Sequence, residues 1–338
     1  MLDYRSDTVT RPTKAMKEAM MNAPLGDDVF EDDPTINRLE AKAAEMFGKE
    51  AALFCASGTM TNQIAINVHT NPGDEVICDK LSHIYYYEGG GIARNSGASV
   101  MLLDGDHGRF TAEMVKNAIN PDDIHRPISR LVSAENTCNK GGGVIWDSEE
   151  LEKIALVCKR NGLSFHLDGA RLFNALIETG ESTESVGNTF DTISICLSKG
   201  LGCPVGSLLI GDRQFIKHSR RVRKVFGGGM RQAGMLAAAG IYALDHNVER
   251  LKEDHERGRE IAESLEEGSW VRSVMPSQTN IIVAELNDNV SQNVVLDKLK
   301  EKDVHAMGFG PGRIRFVTHL DINDEMIQKT KQIIQTLL

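Results

Sequence analysis

Nothing in this sequence is apolar for long enough to cross a membrane, and its opening stretch, MLDYRSDTVTRP, lacks the apolar segment of a secretion signal. A cytoplasmic protein is expected, with no membrane partner. A basic excess is lacking too. The 38 Lys and Arg face 48 Asp and Glu, and a formal charge of -10 argues against nucleic acid as a main partner, because phosphate contacts need a basic surface. The six cysteines, Cys55, Cys78, Cys138, Cys158, Cys196 and Cys203, never fall at C-x-x-C spacing, so neither a zinc site nor a redox pair is signalled. They read as reduced small hydrophobes. No strict G-x-G-x-x-G and no Walker A sequence occurs, which lowers the dinucleotide and nucleoside-triphosphate readings.

What is present is a chain of 338 residues, longer than one core usually needs, so a large and a smaller domain are expected. Up to about residue 246, apolar runs alternate with helical patterns: EAALFCASGTMTNQIAINVHT reads as strand, glycine turn and helix, and GDEVICDK, SVMLLD, ISRLVSAENT, LSFHLDGA and DTISICLSKG read as strands. GSLLIGD is expected to return antiparallel. DSEELEKIALVCKRNG is an amphipathic helix with a capping residue and a glycine stop. This alternation predicts an α/β fold with a mainly parallel sheet, whose ligands collect at the carboxyl ends of the strands. Residues 247–338 read as a small α/β domain, and the boundary lies near residue 246 without a flexible linker.

Three strand ends carry chemistry. After ALFCA come Ser57, Gly58 and Thr59 at a helix start, where backbone amides, a glycine and hydroxyls suit a phosphate. After LSFHL comes Asp168, an acid expected either to meet a cation or to cap the next helix. His166 shares its strand face and is placed to hydrogen-bond it, while a metal reading of the pair lacks a third local ligand. One strand later stands Lys199, alone in an otherwise apolar or small stretch. It is either a surface lysine with a buried stem or a nucleophilic amine. Taken together, a phosphate cradle, an acid and a lysine, each at a strand end, match the needs of pyridoxal 5'-phosphate: a phosphate site, a partner for the pyridine nitrogen and a Schiff-base amine.

The motifs RSDTVTRPT, GDDVFEDDPT, SGTMTNQIA, HLDGARLFNA, CLSKGLGCPVGSLL, GGGMRQ and IRFVTHLD resemble those of the low-specificity threonine aldolases, in the β-eliminating lyase group of pyridoxal-phosphate fold type I. The resemblance runs from residue 5 to about 321. It implies an aspartate aminotransferase-like fold: a large domain, 1–246, with a mainly parallel seven-stranded sheet, and a smaller C-terminal α/β domain, 247–338, which the N-terminal segment is expected to touch. It also implies a homotetramer (a dimer of dimers with active sites at the dimer interface) and cleavage of threonine or allo-threonine to glycine and acetaldehyde.

Residue by residue, the resemblance assigns Gly58 and Thr59 to the phosphate, His83 to the face of the pyridine ring, Asp168 to its nitrogen and Lys199 to the covalent bond with the cofactor. Arg171 and Arg313, helped by Ser6, match the ligands of the substrate carboxylate, for which a planar guanidinium fork is suited. Arg171 is also a cofactor contact, and Lys224 and Arg231 lie near the phosphate across a subunit interface. The base for the β-hydroxyl is His83, His125 in PDDIHRP, or a water held by both. No metal is implied. In the family's common pattern a tyrosine stands at Phe30 and a histidine at Cys138, so specificity is open to change at both positions. Two alternatives compete: an aminotransferase or β-eliminating lyase on the same fold, and a non-catalytic binding protein in which Lys199 and Asp168 form a structural ion pair.

Overall fold

In the computed structural model, which describes residues 1–338, a two-residue strand β1 (Leu2–Asp3) precedes the seven strands of the main sheet. These are β2 (Ala51–Cys55), β3 (Glu75–Asp79), β4 (Ser99–Leu103), β5 (Ser129–Glu135), β6 (Ser164–Gly169), β7 (Thr192–Cys196) and β8 (Ser207–Gly211), in the order β2-β8-β7-β6-β5-β3-β4. Only β8 runs against the others, so the expected antiparallel return of GSLLIG is observed. Strands β3, β7 and β8 are buried along their whole length, which is why they read as near-continuous apolar runs rather than as alternations. The helix Ser148–Asn161 on the sheet's face is capped by Asp147, whose side chain accepts from the Glu149 amide, and stops at Gly162, whose φ of 68° suits glycine.

The six strands that run parallel end together, at Cys55, Asp79, Leu103, Glu135, Gly169 and Cys196, and this edge is where the functional side chains gather. After the helix Gly234–His246 every strand belongs to the smaller layer: β9 (Val271–Val274), β10 (Ile281–Leu286), β11 (Val304–His305), β12 (Met307–Gly308) and β13 (Arg313–Val317). Four of them form an antiparallel sheet of order β12-β13-β10-β9, against which the helices Leu251–Glu266 and Asp324–Gln335 pack through Ile261, Leu265, Ile327 and Ile334.

The first residues of the chain join this smaller layer. β1 pairs in parallel with β11, Leu2 beside Val304, and buried Tyr4 shares a 2.9 Å hydrogen bond with Thr330 Oγ1. The segment that follows, Arg5 to Val9, is thereby stretched across the junction of the two layers. All six cysteines are free and buried, and no helix is long and apolar enough to cross a membrane.

Candidate active site

The helix Gly58–His69 starts immediately beyond β2, and the Ser57 hydroxyl caps it by accepting from the Met60 amide at 3.2 Å. The Gly58 and Thr59 amides sit in the first helical turn, where N–H groups have no carbonyl four residues back, so they face the strand edge as anion donors. Glycine is required at 58 by close approach. A Cβ there would lie 2.6 Å from Cys196 Sγ, at the end of the strand that leads to Lys199. Gly58→Ala is expected to push the helix start off β7, lowering stability by about 1–3 kcal/mol and weakening pyridoxal phosphate retention. A fluorescence titration with the cofactor beside thermal unfolding checks both effects, and unchanged affinity would show that the cradle does not hold the phosphate.

In the register of β5 with β6, Glu135 stands beside Asp168, and both acids are buried. Asp168 does not pair with Lys199. Its Oδ2 accepts from Asn62 Nδ2 at 2.9 Å and its Oδ1 from the Ala170 amide at 3.2 Å. The same Asn62 nitrogen donates to Glu88 Oε1 at 2.9 Å, and Glu88 Oε1 also meets His83 Nδ1 at 2.9 Å. Burial works against a charge on His83, but the Glu88 hydrogen bond and the charges of Asp168 and Glu135 outweigh it and move its pKa upward. Glu135 is pushed up by burial and by Asp168, although it accepts from the His83 and Asn139 amides. His83, Glu88 and Asp168 bring ligand atoms within 4.8 Å of one another, yet an amide donor sits between the two carboxylates, an arrangement built for hydrogen bonds rather than for a cation.

His166 was expected on Asp168 itself and is instead one step removed. Its Nε2 lies 3.1 Å from Asn62 Oδ1, because the asparagine occupies the space between the two side chains on their shared face. Lys199, three residues past β7, is half-buried and its amine forms neither a hydrogen bond nor an ion pair, so the structural ion pair with Asp168 is overturned.

Beyond Lys199 lies a second charged group. Arg171 is buried and grips Asp7 with both arms of its fork, Nε to Oδ2 and Nη2 to Oδ1, each at 2.7 Å. Burial alone would raise the Asp7 carboxyl, but Arg171, Lys199 and the Asn280 amide hold it far below the usual carboxylate range. Ser6 precedes this acid, and its hydroxyl caps the short turn Asp7–Val9. Arg315 completes the group, donating to Asn139 Oδ1 at 2.8 Å and to the Arg5 carbonyl at 3.0 Å, while its Nε is buried without a partner. Burial and the neighbouring Arg171 push the Arg315 pKa down to about 10.

Arg313 is not part of this group, which corrects the expectation from the sequence. It stands at the exposed start of β13 and pairs with Glu285 at 2.6 Å. Two residues further along the same face, Arg315 is the buried guanidinium. His125 also lies elsewhere. It precedes β5, is 82% exposed and pairs with Asp123 at 2.8 Å. The seven residues of β5 separate this end of the sheet from the site edge by about 20 Å, so His125 does not reach the Lys199 of its own chain. Arg231 turns to Asp27 at 3.0 Å and stacks over Phe30, and Lys224 is exposed beside Gly229. Neither contacts the Asp168 group of the same chain. Cys138 is buried, with its thiol directed at the Glu135 carbonyl, and so presents nothing to a ligand.

The donor set fits pyridoxal phosphate. The first-turn amides of Gly58 and Thr59 would suit a phosphate, a buried carboxylate would suit a ring nitrogen, an imidazole is tied to that carboxylate through Glu88 and Asn62, and the partnerless amine of Lys199 acts on Asp7 of a cationic pocket in which Arg315 Nε is orphaned. Sequence reasoning missed Asn62, Glu88, Asp7, Asn280 and Arg315. Asn62 carries a signal in retrospect, one helical turn after Gly58 in SGTMTN, whereas Asp7 and Asn280 are brought together only by the closing of the two layers.

Comparison with known proteins covers nearly the whole chain. Residues 3–289 match the family described as Beta-eliminating lyase. The low specificity L-threonine aldolase of Escherichia coli K12 is 43% identical over 328 residues, covering 97% of this chain and 96% of that protein. Low-specificity L-threonine aldolase 1 of Arabidopsis thaliana is 40% identical, covering 99% and 95%. The structure of Leishmania major threonine aldolase superposes with a TM-score of 0.85 at 22% identity, over 100% of this chain and 99% of that one, which shows a shared fold.

Proposed function

The chain belongs to the β-eliminating lyase family, and from that premise we propose that it is a pyridoxal-phosphate-dependent aldolase cleaving L-threonine and L-allo-threonine to glycine and acetaldehyde. The observation that carries the reading is the partnerless Lys199 amine, which follows β7 at the edge where the Asp168–Asn62–His83 group gathers and whose charge acts on Asp7 of the Arg171–Arg315 pocket.

When bound, pyridoxal phosphate supplies a carbonyl for amines and a protonated ring that takes up the electron pair released when Cα–Cβ breaks. Lys199 would provide the amine that holds the cofactor and could be displaced by the substrate's own amine. Asp168, oriented by two N–H donors, would face the ring nitrogen and hold its proton. The helix start at Gly58 and Thr59 carries the phosphate. Arg315, with the remaining Nη1 of Arg171 and the Ser6 hydroxyl, would hold and orient the substrate carboxylate and so select which bond at Cα is cleaved. His83 covers the ring, and its Nε2 is free to take the hydroxyl proton because Nδ1 is committed to Glu88.

That assignment has a pH consequence. A base must be neutral, so kcat/KM rises as the pH passes upward through the His83 pKa, which Glu88 helps to raise. In Glu88→Gln the acidic limb of the kcat/KM profile is expected to move to lower pH. A limb that stays in place assigns the proton to another group, with His125 of a neighbouring copy or a water as the candidates.

We also propose a cytoplasmic homotetramer acting in threonine and glycine metabolism. His125 lies at the wrong end of its own sheet, and the neighbouring Ile124 is 98% exposed, as expected for a loop tip that enters another copy. Lys224 and Arg231 would reach the phosphate in the same way, and light scattering reads the assembly directly.

The deciding experiment is an absorption spectrum of the purified protein followed by L-allo-threonine, alcohol dehydrogenase and NADH. A visible cofactor band with NADH loss is expected. A band that bleaches to the colourless amine form of the cofactor, without acetaldehyde, would make the protein an aminotransferase instead.

A further inference from the structure

A chain of hydrogen bonds runs on from the Asn62–His166 contact described above, buried except at its half-buried far end, His69, and it ends on Asp168. Its geometry allows a single arrangement of protons. Asn62 faces two carboxylates, Asp168 at 2.9 Å and Glu88 at 2.9 Å, so the atom between them is the amide nitrogen, and both of its hydrogens are spent. The Asn62 oxygen therefore faces His166 and can only accept, which places the ring proton of His166 on Nε2, 3.1 Å away. Burial pushes the His166 pKa down to about 3, so the ring is neutral and its Nδ1 is an acceptor.

The partner of that Nδ1 is the Thr192 hydroxyl, at 2.9 Å, and the register of β6 with β7 sets the two residues side by side. With its hydrogen spent on His166, the same hydroxyl accepts from His69 Nε2 at 3.0 Å. His69 is the last residue of the helix Gly58–His69, stacked on Phe215, and burial lowers its pKa to about 4 against the pull of Asp191 and Asp212. The donors thus run in one direction, from His69 through Thr192, His166 and Asn62 to Asp168. The path crosses the sheet from its amino-terminal edge to the site.

We propose that His166, Thr192 and His69 are positioning residues for the reaction, whose one-way chain through Asn62 fixes the orientation of the Asp168 carboxylate as the acceptor that would face the cofactor's ring nitrogen. The inference rests on the pyridoxal-phosphate reading above. Successive hydrogen bonds of one polarity strengthen one another in a low-dielectric interior, and here the positive end points at the acid. Apolar side chains would fill a sheet interior without any such requirement, so a fully buried histidine on β6, aligned on an acid through Asn62 and continued outward by Thr192 and His69, calls for a reason beyond packing. Because Asn62 also holds Glu88, the chain orients His83 as well.

Two measurements test the chain. In the first, protein with 15N-labelled histidine is expected to show His166 and His69 neutral and protonated at Nε2 from about pH 6 to 8. A His166 protonated at Nδ1 overturns the proposed direction. In the second, holoenzyme is reconstituted with pyridoxal phosphate labelled at the ring nitrogen, in Thr192→Val and His166→Phe. The ring-nitrogen resonance is expected to move toward the unprotonated position, with kcat down about tenfold and KM within about twofold, as for loss of an outer hydrogen-bond partner. Folded variants with an unmoved resonance and an unchanged kcat overturn the proposal. Thr192→Val keeps the side chain's shape, so it decides the matter even where His166→Phe does not fold. A protein that binds no pyridoxal phosphate would defeat the functional reading instead, and the histidine tautomers would still stand.

Discussion

Lys199→Ala is expected to lose threonine cleavage by about 10³-fold or more, equivalent to about 4 kcal/mol of barrier, while its folding stability stays within about 0.5 kcal/mol of the parent. The two halves of this result come from one fact. The Lys199 amine has no hydrogen-bond or ion-pair partner, so little native structure leaves with it. Its absence does remove the amine placed to bond a carbonyl and then give way to the substrate. Borohydride reduction of the parent should fix the cofactor to the peptide containing Lys199, and mass spectrometry of the variant should find no such adduct. An alanine variant that still cleaves allo-threonine at the parental rate would refute the covalent role. One that loses both activity and several kcal/mol would show that Lys199 had been structural all along.

The large layer was legible in the sequence because its strands announce themselves locally. Each apolar run ends in a glycine or a polar residue, and the chemistry-bearing positions Gly58, Asp168 and Lys199 follow those ends directly. A parallel sheet then brings them to one edge without further information. The carboxylate pocket was not legible in the same way. Arg313 and Arg315 share a strand face, and no local rule says which of them is buried. The answer comes from how far β13 slides past the large layer, which leaves Arg313 with Glu285 at the rim and carries Arg315 to the Arg5 carbonyl. Asn62 and Glu88 were hidden for a related reason, since an amide and an acid on two helices acquire meaning only when both close on Asp168 and His83.

The same distinction separates the two halves of the site by mechanism. The proposed cofactor half lies within one layer, at the ends of β2, β5, β6 and β7. The carboxylate half is assembled across a junction, with Arg171 from the large layer, Arg315 and Asn280 from the small one, and Asp7 from the segment strung between them. A substitution in the first half should act mainly on kcat. One in the second should act on the docking of the layers and on KM as well.

Asp7→Ala is the sharpest case, with an expected loss of about 3–5 kcal/mol of stability, because it strands the buried Arg171 beside Arg315 with no anion between them. KM for threonine should rise too, since the fork of Arg171 loses the acid that aims it. The sign of the pH dependence follows from the depressed Asp7 carboxyl. Folding favours its ionised form, so its contribution is complete above the ordinary carboxylate pKa of about 3.9 and fades as the pH falls toward the lower folded value. The gap between parent and variant should therefore be constant from about pH 5 upward and narrow only in acid, which urea titrations at several pH values will read. Asp7→Leu combined with Arg171→Met separates stability from function. An apolar pair of similar volume removes both buried charges together, so most of the lost stability should return while KM stays high. Recovery of both would mean that Arg315 alone holds the substrate carboxylate and that the Asp7–Arg171 pair serves only to tie the two layers together.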